Sequence, residues 1–165
     1  MSIDVIVGRY AWLIFLMGTA GFLWPSPRLR DRLTNDAAFA EADRIIRRKA
    51  FLWMSAPWVM MGFGELIGGV PSFWRFFDPR HGGPWVLAFF LSVFAVWIAS
   101  AYWIFTRDGA SAIVDHQLVA AHGTRKLVEL TPKRVKLLFT LLLVGGVVAV
   151  GLMFSGAFAV PGGVR

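Results

Sequence analysis

Four long apolar stretches, separated by polar or proline-broken segments, organise the chain. The first runs from Ile3 to Trp24 and stops at Pro25. The second, Ala50 to Val70, stops at Pro71, the third covers Trp85 to Phe105, and the fourth runs from Leu137 to Val160 and stops at Pro161. A hydrocarbon core of ~30 Å takes ~20 helical residues to cross, and each stretch has that length. None alternates apolar and polar positions strictly, and each is about twice as long as a barrel strand. Backbone polar groups in lipid must be satisfied within the segment, so the stretches read as helices. The pattern predicts an all-α, polytopic membrane protein. A single domain over 1–165 forms a four-transmembrane-helix bundle with spans at 3–24, 50–70, 85–105 and 137–160. No basic residue precedes the first stretch and no small-x-small site follows it, so it is expected to be a retained helix rather than a cleaved leader.

Composition agrees with this pattern. Hydrophobic residues make up 57% of the chain and charged residues 16%, against about 25% charged in ordinary globular chains. A small soluble core has too little interior for so much apolar surface, which leaves lipid as the solvent.

Charge sets the expected orientation. Arg28, Arg30, Arg32, Arg44, Arg47, Arg48 and Lys49 lie between the first two spans, and Arg107, Arg125, Lys126, Lys133, Arg134 and Lys136 between the last two. Only Arg9, Arg75, Arg80 and Arg165 fall on the other side. Basic loops stay in the cytoplasm. Segments 25–49 and 106–136 are therefore expected to be cytoplasmic, with 71–84 and both termini outside (N-out/C-out). The preference for Arg over Lys fits a GC-rich bacterial genome, and hence a multi-pass protein of the bacterial inner membrane.

The cytoplasmic loops carry helical extensions. Thr34, Asn35 or Asp36 can cap a helix, and Ala37 to Lys49 has no Gly or Pro and runs straight into the second span. Asp43 and Arg47 at i,i+4, and Glu41 and Arg44 at i,i+3, read as solvent-facing pairs. Phe39, Ala42, Ile45 and Ile46 form the apolar stripe. Ala110 to Ala121 reads as a second helix ended by Gly123. Thr131-Pro132 opens the fourth span, with Thr131 as cap and Pro132 at the first helical position. Arg47, Arg48 and Lys49 are expected at headgroup level, as a site for anionic lipid or as an ordinary basic collar. In the outer loop Phe73, Trp74, Phe76 and Phe77 are too aromatic for a solvated segment. Trp74 and Arg75 are expected to anchor that loop in the interface.

Two charges stand inside the spans. Arg9 lies about six residues into the first, and Glu65 about five residues from the outer end of the second. Both are then ~8–9 Å below the outer boundary, and the depths predict an ion pair, either register-fixing or functional. Glu65 also sits within Gly64-x-x-x-Gly68, while Gly145-x-x-x-Ala149 and Gly151-x-x-x-Ser155 mark the fourth span. Such spacing lets helices approach closely, so the second and fourth spans are expected to make the tight contacts, within the bundle or between protomers. Pro57 should kink the second span. Trp12, Trp58 and Trp97 read as core packing in preference to a pigment or quinone site.

Other chemistries lack their residues. The chain has no cysteine, so thiolate metal sites, iron–sulfur clusters and disulfides are excluded. His81, His116 and His122 all fall in loops, leaving no span to ligate haem. No H-E-x-x-H, G-x-S-x-G or Walker sequence occurs, no cofactor is expected, and the split basic loops resemble no nucleic-acid patch. The leading expectation is a non-catalytic membrane protein acting through helix association, with anionic lipids, a second copy or a larger membrane complex as partners. Two alternatives are a small ion- or proton-coupled transporter or channel using Glu65, and an interfacial lipid-acting enzyme drawing on Asp108, Asp115, His116 and His122.

Overall fold

The computed structural model describes residues 3–80, 82–118 and 130–156, with the side chains of 3–7, 27 and 28 excepted. Among the described residues the chain is all helical, with no strand. Helix α1 spans Ile3–Phe22, α2 Pro27–Asn35, α3 Ala37–Leu66, α4 Pro84–Thr106, α5 Gly109–Asp115 and α6 Pro132–Ser155, and Phe73–Phe77 forms a 3-10 turn. Among the described residues two helices, α4 and α6, are long and apolar enough to cross a bilayer by length and composition, which supports an association with a membrane.

Local chemistry explains the boundaries. The Asp36 carboxylate accepts from Phe39 N–H at 2.9 Å and starts α3. Thr131 caps α6, with Pro132 at its first position, where the missing N–H costs nothing. Ser26 caps α2, an element that the apolar pattern does not predict because its residues are largely polar. Pro27 occupies the first turn of that helix. The extension 37–49 and the second apolar stretch are one continuous helix of 30 residues containing Pro57. That helix ends at Leu66, short of the expected Val70. The chain reverses at Gly69, where φ is +68°, and Val70 N–H reaches back to the Gly64 carbonyl. The expected helix from Ala110 stops at Asp115. Residues 116–118 form a turn instead, and 119–121, with His122 and Gly123, lie outside the described residues.

Helix α3 is the centre of the packing, with α4 and α1 against it, while α6 touches α4 and α5. The core divides between the two ends. At the aromatic end Ala11, Met61, Phe73, Phe76, Val86, Phe89 and Phe90 form one buried cluster. At the basic end Ile104, Ala110, Ile113, Leu118 and Val135 form another.

The aromatic end corrects two expectations. Phe73 and Phe76 are buried rather than interfacial, Phe76 completely, and only Trp74 of the turn stands exposed. The 3-10 turn folds its rings inward against α1, α3 and α4 because those helices leave a gap there. The gap exists because α3 and the turn after it carry glycines. A Cβ on Gly64 would lie 2.7 Å from Phe76 Cζ, and one on Gly68 2.2 Å from Trp85 Cδ1. Gly64-x-x-x-Gly68 therefore receives aromatic rings and not the fourth apolar helix, and α3 and α6 make no substantial contact. Gly62, which the spacing argument passed over, receives the Trp12 ring of α1 at 2.9 Å. On α6 the residue in close contact is Gly146, against Trp97, while Gly145 and Gly151 face open space.

These contacts predict opposite responses to one added methyl group. Gly64→Ala should cost about 1–3 kcal/mol, because Phe76 has no room to retreat. Gly151→Ala should be neutral, or stabilising by up to ~1 kcal/mol through helix propensity. Thermal unfolding of both variants in detergent checks the contrast, and equal responses would contradict the packing.

Candidate functional site

Two groups of charged side chains sit at opposite ends of the bundle. At the basic end, α3 turns Asp43 and Arg47 inward, one helical turn apart. Arg47 Nε donates to Asp43 Oδ2 at 2.7 Å, and the two side chains are 12% and 4% exposed. The guanidinium also donates to the Leu23 carbonyl beyond the end of α1, and to the His116 carbonyl after α5 at 2.6 Å. His116 Nδ1 lies 3.0 Å from Asp43 Oδ1. An ionised carboxylate only accepts, so Nδ1 carries the proton in this contact. Phe39 stacks on the His116 ring at 4.6 Å with 5° between planes, and the Arg32 guanidinium lies 3.9 Å above the other ring, Phe39. Ser26 Oγ donates to Gln117 Oε1 at 2.9 Å beside this stack.

This latch corrects the reading of Asp43–Arg47 as a solvent-facing pair and of Arg47 as a headgroup ligand. Carbonyls at two helix ends and a carboxylate take up the guanidinium, so it has no need of solvent. Arg48 and Lys49 are exposed, and the Glu41–Arg44 pair is exposed with 3.0 Å between charges. The latch holds α1, α3 and α5 together. An Asp–His contact can serve acid–base chemistry, but here Phe39 covers the imidazole and His116 is buried. Asp108 and Asp115 are exposed at the two ends of α5, ~10 Å apart at 1.5 Å per residue, so these two acids do not meet at one site.

At the aromatic end Arg9 of α1 and Glu65 of α3 line one recess of about 250 Å³, with Gly69, Val70 and Pro71 completing its wall. No hydrogen bond joins the two charges. Both Glu65 carboxylate oxygens are buried without a hydrogen-bond partner among the described residues, while Arg9 is exposed. The two residues matched by depth in the sequence thus share a space without forming a direct bond.

The remaining residues singled out in the sequence have plainer places. Trp58 stacks on Phe15 of α1 at 4.4 Å, and Trp12 and Trp97 cover Gly62 and Gly146. Arg75 is half-buried in the 3-10 turn. Ala149 is half-buried on α6, while Gly145, Gly151 and Ser155 are exposed. Six residues separate Gly145 from Gly151, which turns the two small-residue motifs about 120° apart around the helix.

No protein family, curated protein or solved structure matches this chain.

The latch yields a cycle of substitutions. Asp43→Leu or Arg47→Met alone should cost about 3–5 kcal/mol, because each strands a buried charge. The double variant should cost clearly less than the sum of the two. Arg48→Met should stay within about 0.5 kcal/mol of wild type. Denaturant titrations in mild detergent measure all four, and additive losses would show that the two groups are not coupled.

Proposed function

We propose that the chain is a four-span, N-out/C-out protein of a bacterial inner membrane that acts without catalysis, by pairing helix α6 with a neighbouring helix. The observation that carries this reading is the bare outer face of α6. None of its most apolar stretch is buried within the chain. Thr140, Val144, Val147, Gly151 and Ser155 follow one another at four- and three-residue steps, all exposed, and so share one helix face. Lipid gains little from small residues, whereas another helix can approach them closely and gain dispersion contact. The partner is a second copy of this chain or a subunit of a larger membrane complex, with anionic lipids around the exposed Arg48 and Lys49.

Charge asymmetry supports the orientation. The exposed cations Arg44, Arg48, Lys49 and Arg107 lie at the end holding the latch, and the recess and aromatic turn lie at the other. Helices α1 and α3 supply the other two spans in this reading, with Arg9 near enough to the boundary for its guanidinium to reach headgroups.

A second reading, ion- or proton-coupled passage, draws on Glu65, whose carboxylate oxygens are buried without a partner among the described residues.

The chain has no cysteine, so single Arg44→Cys and Arg80→Cys variants should label from opposite faces of sealed vesicles. Labelling from one face would end the topology. Particle mass in detergent should exceed one chain and fall on Gly151→Leu, and a monomeric wild type with nothing co-purifying would end the association reading. Flux into liposomes, compared between wild type and Glu65→Gln, should be equal or absent in both. A flux lost only in the variant would favour passage.

A further inference from the structure

We propose that the basic end of α4 is a phospholipid site, in which Arg107 and Tyr102 hold the phosphodiester and the exposed face of the helix takes an acyl chain. The argument begins from how Arg107 is used. It is the residue that ends α4, and both it and Tyr102 are exposed. Its guanidinium folds back along the helix. Nε donates to Tyr102 Oη at 3.0 Å, and Cζ lies 5.5 Å from the centre of the ring.

That contact leaves a set of donors unused at one spot. Tyr102 Oη accepts from Nε, so its own proton points elsewhere, and Nη1 and Nη2 keep theirs. No described residue accepts from any of the three. Water reaches this open surface, but an oxyanion with two free oxygens gains charge-assisted bonds that water does not supply. The ring and its hydroxyl hold the guanidinium in place, which lowers the side-chain freedom lost on binding.

A neighbouring charge narrows the class of anion. Asp108 follows in the chain, exposed and in a left-handed turn with φ +54°, and no ion pair joins it to Arg107 among the described residues. A phosphomonoester carries about −1.5 to −2 charges at neutral pH, whereas a diester carries one. The carboxylate therefore disfavours the monoester more.

The helix face supplies the rest. Leu91, Ala95, Ile98 and Tyr102 follow one another at four- and three-residue steps, all exposed, and so form one strip. The strip is about 16 Å long at 1.5 Å per residue, and half of a ~30 Å hydrocarbon core is ~15 Å. An acyl chain laid from Tyr102 to Leu91 thus crosses its leaflet with the headgroup at Arg107. The strip by itself accepts any lipid, and the donors at its end select the phosphate. This occupant rests on the proposed crossing of a bilayer by α4 and is independent of pairing by α6.

Native mass spectrometry of the full chain released from detergent tests the proposal. Phosphatidylglycerol and glucosyl diacylglycerol of matched acyl chains, the second lacking phosphate, are offered together. Wild type should retain phosphatidylglycerol about tenfold over the glycolipid, the usual effect of one charged hydrogen-bonding partner. Arg107→Gln should bring the two to parity, and Tyr102→Phe should lower the ratio about threefold, as for a neutral hydrogen bond. Arg44→Gln removes the same charge at the same end and should leave the ratio unchanged. Equal retention by wild type would overturn the proposal, as would an equal fall in Arg44→Gln. Should Arg107→Gln fail to fold, an unchanged ratio in Tyr102→Phe would overturn it. An excess of the free headgroup, glycerophosphoglycerol, should not displace the lipid, and displacement would remove the acyl strip from the site. Labelling of Arg44→Cys and Arg80→Cys from one face would end the proposed orientation without altering these ratios, so the two readings can fail separately.

Discussion

The basic end depends on one buried guanidinium. Removing Arg47 from water is costly, and the cost is offset only where its donors find good acceptors. Asp43 supplies a carboxylate from the same helix. The other acceptors are the carbonyls of Leu23 and His116, just beyond the ends of α1 and α5, where helices leave carbonyls unpaired and partial negative charge accumulates. A single cation thus answers needs from three helices, and each of those needs fixes part of its environment. The exit of α1, the turn after α5 and the rotation of α3 about its axis are constrained together. The Arg32–Phe39–His116 stack then places α2 over the latch and limits access of water to the imidazole.

The opposite end is held by shape. Helix α3 has no side chain at Gly62 and Gly64, nor does the turn after it at Gly68, and the neighbouring elements answer with Trp12, Phe76 and Trp85. Each ring fills a volume that a methyl group at the facing glycine would contest, so close approach of α1 and α4 to α3 is bought with aromatic area in place of helix–helix backbone contact. Phe76 packs edge-on against Phe89 at 5.4 Å, continuing the cluster into α4. Helix α6 is fixed by fewer such contacts: Val135 in the basic-end cluster, Gly146 on Trp97, and Arg80 of the loop lying over Gly156 at its C-terminus, where a cation suits the helix dipole. Its outer face is accordingly left uncovered by the described residues.

Much of this was legible in the chain. Length and proline punctuation located the apolar helices, and Asp36 and Thr131 marked true helix starts, because capping is local chemistry. The latch was missed because an i,i+4 charge pair has the same spacing whether it faces water or core, and its third member, His116, comes 73 residues after Asp43. A signal was nevertheless present. Phe39, Asp43, Ile46 and Ala50 fall on one helix face by their four- and three-residue steps, so the carboxylate shared the apolar stripe and could not also face solvent. The glycine motif was misassigned for a different reason. Small-residue spacing shows that something approaches closely without saying what, and the rings of Phe73–Phe77, close by in sequence, competed with a helix for the same space.

The two charge groups set a contrast that bears on function. In the latch every strongly polar partner is answered inside the chain, which is what a structural role requires. At the recess, Arg9 and Glu65 lie close enough to share a wall, but the carboxylate oxygens accept nothing from the described residues. A pair kept only to fix register would gain by closing into a direct bond, as Asp43 and Arg47 do at 2.7 Å. Holding the pair open forgoes that gain, and native structures leave buried polar atoms unanswered mainly where something else completes them. The Glu65 carboxyl is therefore completed either by a proton of its own or by a donor from outside the described residues, which sets it apart from the closed Asp43–Arg47 pair.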